Sequence, residues 1–158
     1  MFPKRRNRII FPVAMKVLPL PSYPGKVLLA WAEAITGNEE LRDWLMASAY
    51  PELGVFCHAL MNEPTSRSWL RHQGHAHLMA LIEGAEGESR AVEWLRHEGN
   101  STLADMALAA DNDEDALARL MQGDPDVNGI WVLIALRIQH VKNDIEESNN
   151  DVHRIDPN

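Results

Sequence analysis

Three histidines crowd into the run His72-Gln73-Gly74-His75-Ala76-His77. Imidazoles gathered in a short turn are good ligands for a transition metal at neutral pH. A structural metal takes about four ordered ligands, however, and no cysteine or acid stands inside this loop. His72 also belongs to a hexapeptide, Trp69-Leu70-Arg71-His72-Gln73-Gly74, that returns as Trp94-Leu95-Arg96-His97-Glu98-Gly99, where His97 lacks histidine companions. His72, His75 and His77 are the candidate metal ligands of the chain. The expectation for them is a plainer one, solvated turn and capping residues, with no metal and no other cofactor.

Other chemistry finds less support. Cys57 is the single cysteine, so an intramolecular disulfide and a thiolate cluster built by one chain are excluded. It stands in an apolar helical column, where a thiol packs as a small hydrophobe. The acidic run Asp111 to Asp115 lacks the glycine and ligand spacing of a calcium loop and suits a helix start. Gly25-Lys26 lacks the upstream glycine of a phosphate-binding loop. No serine, histidine and aspartate fall into a supported catalytic set, so the chain is expected not to be an enzyme.

Recognition is better served. Trp44, Trp69 and Trp94 recur at a 25-residue offset, and Arg71 and Arg96 stand two residues after the last two. Tryptophan and arginine dominate binding hot spots. The Trp and Leu columns also suit the spacing between stacked helices, leaving Arg71, His72, Arg96 and His97 as the residues most available for a partner. The candidate binding set is Trp44, Trp69, Arg71, His72, Trp94, Arg96 and His97.

What must position these residues is a tandem repeat. The 25-residue offset extends back to Trp44-Leu45 and forward to Arg119-Leu120, giving units 37–61, 62–86, 87–111 and 112–136. In each unit a short helix carries the Trp-Leu position and a second helix follows a turn. The second helices align as Leu53, Phe56, Cys57 and Leu60; then Leu78, Leu81, Ile82 and Ala85; then Leu103, Met106, Ala107 and Ala110. The last unit reads Asn128, Trp131, Val132 and Ala135. Spacing of i, i+3, i+4, i+7 is one apolar helical face, and it persists at the repeat period apart from Asn128. Caps precede the first helices at Gly37-Asn38, Pro64-Thr65, Glu88-Ser89 and Asn112-Asp113. Tyr23-Pro24 and Tyr50-Pro51, 27 residues apart, open similar helices, so a partial unit over about 26–35 precedes the full ones. Helices of about ten residues are not stable alone and must cover one another.

Outside the units, residues 1–24 form a basic, proline-rich arm. Residues 1–32 carry six basic side chains and no acid, whereas residues 33–158 carry nine basic and all 23 acidic residues, a net −14. The acidic body disfavours nucleic-acid binding. The arm alone offers a contact to phosphate or anionic lipid, or a strap laying Ile9, Ile10, Phe11, Val13 and Leu18 on the first helices. Pro12, Lys16 and Pro19 interrupt the apolar stretch a signal peptide would need, and no uninterrupted run approaches a membrane span. A cytoplasmic location is expected. At the other end, Ile130 to Leu136 is apolar all round, so Trp131, Val132 and Leu136 are candidates for a homodimer interface if the chain itself does not cover them. Residues 146–158 are polar and read as a disordered tail.

The run from Asn112 to Val127, with its Asp124-Pro125-Asp126, and Asn62-Glu63-Pro64-Thr65 opening another unit, together resemble the leucine-rich repeat variant family of bacterial α-solenoids. Ser101-Thr102-Leu103 through Asn128 is similar to an ankyrin unit without its hairpin. The likeness covers roughly residues 37–136; the tryptophan column is not part of the variant family's pattern. It implies a right-handed superhelix of helical units and a binding or scaffolding role without catalytic residues. An iron–sulfur cluster, linked to one member of the variant family, would need cysteines this chain lacks.

The sequence thus points to an all-α chain, a short right-handed α-solenoid over residues 25–145, acting as an interaction or scaffold module for another protein or peptide. The competing expectations are membrane or nucleic-acid contact through the basic arm, and a small metalloprotein built on His72–His77.

Overall fold

The computed structural model describes residues 23–154, with side chains to Asp151. The arm expected over residues 1–24, apart from Tyr23 and Pro24, and the strap carrying Ile9 to Leu18 therefore lie outside the described residues. The described chain is all helical, without a strand. Two kinds of helix alternate. The long apolar ones are α1 (Gly25–Ile35), α3 (Pro51–Leu60), α5 (Ala76–Ala85), α7 (Ser101–Ala110) and α9 (Pro125–Arg154). The short amphipathic ones are α2 (Glu39–Met46), α4 (Pro64–His72), α6 (Ser89–His97) and α8 (Glu114–Met121).

The short helices begin at residues 39, 64, 89 and 114, each 25 after the last. Their starts are chemically alike. Asn38 accepts from the Leu41 N–H at 3.1 Å, Glu88 from Arg90 at 3.4 Å and Asp113 from Ala116 at 3.0 Å. Glu63 does the same for Thr65 and Ser66. Hydrogen bonds from the Ser66 hydroxyl and these two amides hold its carboxyl down at about 2. Just before each cap the chain turns through positive φ at Gly37, Asn62, Gly87 and Asn112. Glycine and asparagine fill that left-handed position with least strain.

Each short helix buries a single leucine column, Leu45, Leu70, Leu95 and Leu120, against the long helices on either side. The long helices α1, α3, α5 and α7 are buried on most sides and form the core, with Trp31 against Phe56 edge to face at 5.0 Å. Asn128, the polar exception in the apolar column, donates to the Gln122 carbonyl at 2.7 Å and braces the turn before α9.

The long helices contact one another in sequence, α1 to α3 to α5 to α7 to α9, and α9 then contacts α1. Arg137 of α9 donates to the Thr36 hydroxyl at 2.8 Å and pairs with Glu33 at 3.1 Å, both at the end of α1. The circuit of apolar helices therefore closes. A linear stack of units would leave its first and last helices apart. The closure also accounts for the apolar run of α9. Trp131, Ile134, Ala135 and Ile138 are buried in the chain's own core, Val132 is half-buried against it, and Leu136 is exposed. Of the three interface candidates, Trp131 is core.

Helix α9 continues through residues 146–154, where the composition reads as a disordered tail. Neither glycine nor proline interrupts residues 130–154. Lys142, buried on α9, holds Asp111 at the end of α7 and Glu146 one turn on, each at 3.1 Å. His140 and Asp144 add a second i, i+4 pair. No described helix is long and apolar enough to cross a membrane.

Candidate functional site

Two features near the middle of the chain collect the residues of interest. The first is a groove of about 440 Å³ between α5 and α6, closed at one end by Arg71 of α4. Its floor is Ala76, Met79, Ala80 and Ala91, and Trp94 forms one wall. Trp94 faces outward because Ala91, Val92 and Leu95 take the buried side of α6. Arg71 reaches the groove from the last turn of α4 and pairs with Glu83 of α5 at 3.1 Å. Arg90, one turn before Trp94, stands at the rim with no side-chain partner among the described residues. The other described arginine side chains, 42, 67, 71, 96, 119 and 137, are all paired to carboxylates.

The second feature is a buried polar and aromatic seam at the N-terminal ends of α1, α3 and α5. Tyr23 donates its hydroxyl to the Glu52 carboxylate at 2.8 Å and meets Tyr50 edge to face at 5.3 Å. Burial pushes the Tyr23 phenol well above its usual value, and the Glu52 carboxylate adds to that. Glu52 is only 4% exposed. His77, the residue 25 positions on, is 1% exposed, and both its ring nitrogens lack a partner. Burial lowers its pKa to about 4, with repulsion from His75 contributing. His75, half-buried before α5, is lowered by burial while Glu52 opposes the shift. Its ring stacks on Trp69 at 5.4 Å and lies 6.2 Å from His77.

The sequence-predicted residues thus separate. Arg71 and Trp94 share the groove. Trp69 turns into the seam instead, half-buried against His75, so the three tryptophans do not form an even ladder, although Trp44 is exposed on α2. Arg96 is held by Asp105 at 2.7 Å, and Arg119 takes the same carboxylate at 2.9 Å. His72 donates Nδ1–H to the Ser68 carbonyl at 2.8 Å within its own helix, and His97 projects into solvent beside Glu98. His72 and His97 are the last residues of α4 and α6 and lie exposed. His77, expected as a solvated turn or capping residue, is instead a core residue, one repeat on from the buried Glu52. Among the described residues no three metal-capable side chains converge.

No family model, curated protein or solved structure matches the chain. The likeness to helical repeat families therefore rests on the all-helical architecture and the recurring helix starts. Tyr23, Tyr50 and Glu52 were not picked out as site residues from the sequence. Their signal was present in the Tyr-Pro pair and in the column Glu52, His77, Thr102, Val127, where polarity alone reads as exposure. Cys57 is buried, donates to the Leu53 carbonyl, and has its thiol pushed up by burial to about 12, the condition of an unreactive side chain.

Proposed function

We propose that the chain is a non-enzymatic protein–protein interaction module, built as a short right-handed array of 25-residue helical units, that docks a partner segment in the α5–α6 groove. The observation that carries the reading is the meeting of Arg71 and Trp94, from consecutive units, over a floor of alanine and methionine. A groove of about 440 Å³ matches one or two anchoring side chains rather than a folded surface. Trp94 offers a rigid apolar wall. Unpaired Arg90 offers a fork for a carboxylate, although the described residues as a whole carry 22 acids against ten bases. The partner segment is therefore one presenting a large apolar side chain with an aspartate or glutamate beside it. Beyond a screening length of about 8 Å the body's net charge counts for little against such a contact.

The test is capture from a native lysate by the full chain and three variants. Trp94→Ala and Ala76→Arg, which remove the wall and fill the floor, should lose the same partner, while Trp44→Ala on α2 keeps it. If both groove variants retain every partner of the unaltered chain, docking is elsewhere.

A further inference from the structure

The two imidazoles at the start of α5 form a pair with no outlet for charge. His77 is 1% exposed and neither ring nitrogen has a partner. A neutral ring persists there at the cost of its hydrogen bonds, whereas a protonated one would have neither water nor an acceptor. His75 lies 6.2 Å away, ring to ring, and stacks on Trp69 of α4 with an interplanar angle of 14°. From α3, Glu52 acts on His75, but its carboxylate already takes the Tyr23 hydroxyl at 2.8 Å. The ion pairs on the other elements packed against α5 include neither ring. Arg71 of α4 holds Glu83, Arg96 of α6 holds Asp105 of α7, and Lys142 of α9 holds Asp111. His72 of α4 bonds within its own helix, and Arg90 of α6 stands at the groove rim.

A proton placed on this pair has a local way out. Gly74, at φ 86°, turns the chain from α4 into α5. His75 is the N-cap of α5 but makes no side-chain cap, and the first turn contains no acid. That end of the helix is the positive end of its dipole, which disfavours an imidazolium. Releasing the first turn gives up the bonds from the Leu78 and Met79 N–H groups to the His75 carbonyl, at 3.0 and 3.2 Å, and the stack on Trp69. Both rings then reach water. Opening one turn takes far less free energy than opening the core. The same segment builds one end of the α5–α6 groove, with Arg71 just before the turn and Ala76 just after it.

We propose that His75 and His77 form an acid-sensitive latch on the α4–α5 turn: their protonation releases the first turn of α5 and with it the Arg71–Ala76 end of the groove, so that a docked segment leaves in acid. The release step rests on the reading of the groove as a docking site; the latch does not.

Hydrogen exchange at the Leu78 and Met79 amides tests the latch, read by NMR and corrected for the intrinsic rate at each pH. It is measured in the unaltered chain and in His77→Leu, or in His77→Met where leucine does not pack. A ring whose pKa falls from 6.5 to about 4 on burial should speed opening of the unaltered chain, relative to the variant, by roughly twentyfold between pH 7 and pH 5. At pH 5 these amides should also exchange roughly tenfold or more faster than those of Ala104 to Ala107 in α7. An unchanged ratio between the two chains would overturn the latch. So would equal protection of α5 and α7, because the chain would then open only as a whole. For the release step, protein captured from a native lysate at pH 7 is washed at pH 5. It should elute from the unaltered chain and stay on His77→Leu. Elution from both, or from neither, overturns the release step. No capture at pH 7 refutes the docking reading itself, and the exchange rates still decide the latch.

Discussion

Replacing His77 with leucine should raise stability at neutral pH and flatten its dependence on acid. His77 is buried with two ring nitrogens that have no partner, and an unsatisfied buried polar group costs about 1–3 kcal/mol. Leucine fills similar space, at a packing cost of about 1 kcal/mol or less, so a net gain of about 1 kcal/mol is expected at pH 7. The acid effect is larger. Folding lowers the His77 pKa from 6.5 to about 4. At pH 7 the folded and unfolded forms are both largely neutral, so protonation of His77 adds no appreciable term there. As pH falls below 6.5 the unfolded chain takes up a proton that the folded chain refuses, so stability is lost progressively down to about pH 4 and no further below it. Linkage places that loss at about 2.5 kcal/mol by pH 4.5. Urea unfolding of the two proteins between pH 7 and 4.5 is the assay, and the gap between them should widen by that amount. Parallel curves would show that His77 is not a buried neutral imidazole. A leucine variant much less stable at pH 7 would show that its nitrogens are satisfied.

Two further substitutions probe how the helices are spaced and tied. A Cβ on Gly54 would collide with the Met46 side chain and lie 2.8 Å from the Arg42 carbonyl, so Gly54→Ala must part α2 from α3. The expected cost of about 2 kcal/mol outweighs the gain in helix propensity and lowers Tm by roughly 6 °C in a chain this size; an unchanged or higher Tm refutes the close approach. At Asp105, burial pushes the carboxyl up, but hydrogen bonds from Arg119 and Arg96 outweigh it and the pKa falls below the usual range. Its stabilisation is present above the ordinary carboxylate pKa and lost as pH drops through the lowered value. Asp105→Asn should therefore cost about 1 kcal/mol at neutral pH, vanishing in strong acid, and a pH-independent difference in urea midpoints would contradict the ion-pair account.

Local chemistry was the legible part of this protein. Helix starts, turns and most caps follow from residues within a few positions, so Asn38, Glu88 and Asp113 could be read as caps, and the apolar columns as buried faces. Glu52 and His77 were hidden because a period-based reading marks polar residues as outward, and only packing between neighbouring units decides otherwise. The engagement of Arg71 by Glu83 and of Arg96 by Asp105 depends on how adjacent helices are set. So does the turn of Trp69 toward His75. The contact of α9 with α1 has no local signature at all, since it joins residues 101 and 104 positions apart. That is why a linear array is the natural reading of the repeats, and why the cover over Trp131 could not be named from α9 alone.

The junction of α1 with α9 has consequences for how the chain folds and how it could change. In an open array each terminal unit frays with its own stability, and units can be gained or lost at little cost to the rest. Here the terminal helices support each other, so loss of either exposes the core of both. Unfolding should occur as one transition rather than as a progression from the ends. The last contacts to form must close a loop of about a hundred residues, which slows folding relative to helical chains dominated by local contacts. Inserting or deleting 25 residues between α1 and α9 would displace Arg137 from Glu33 and Thr36 and break the circuit.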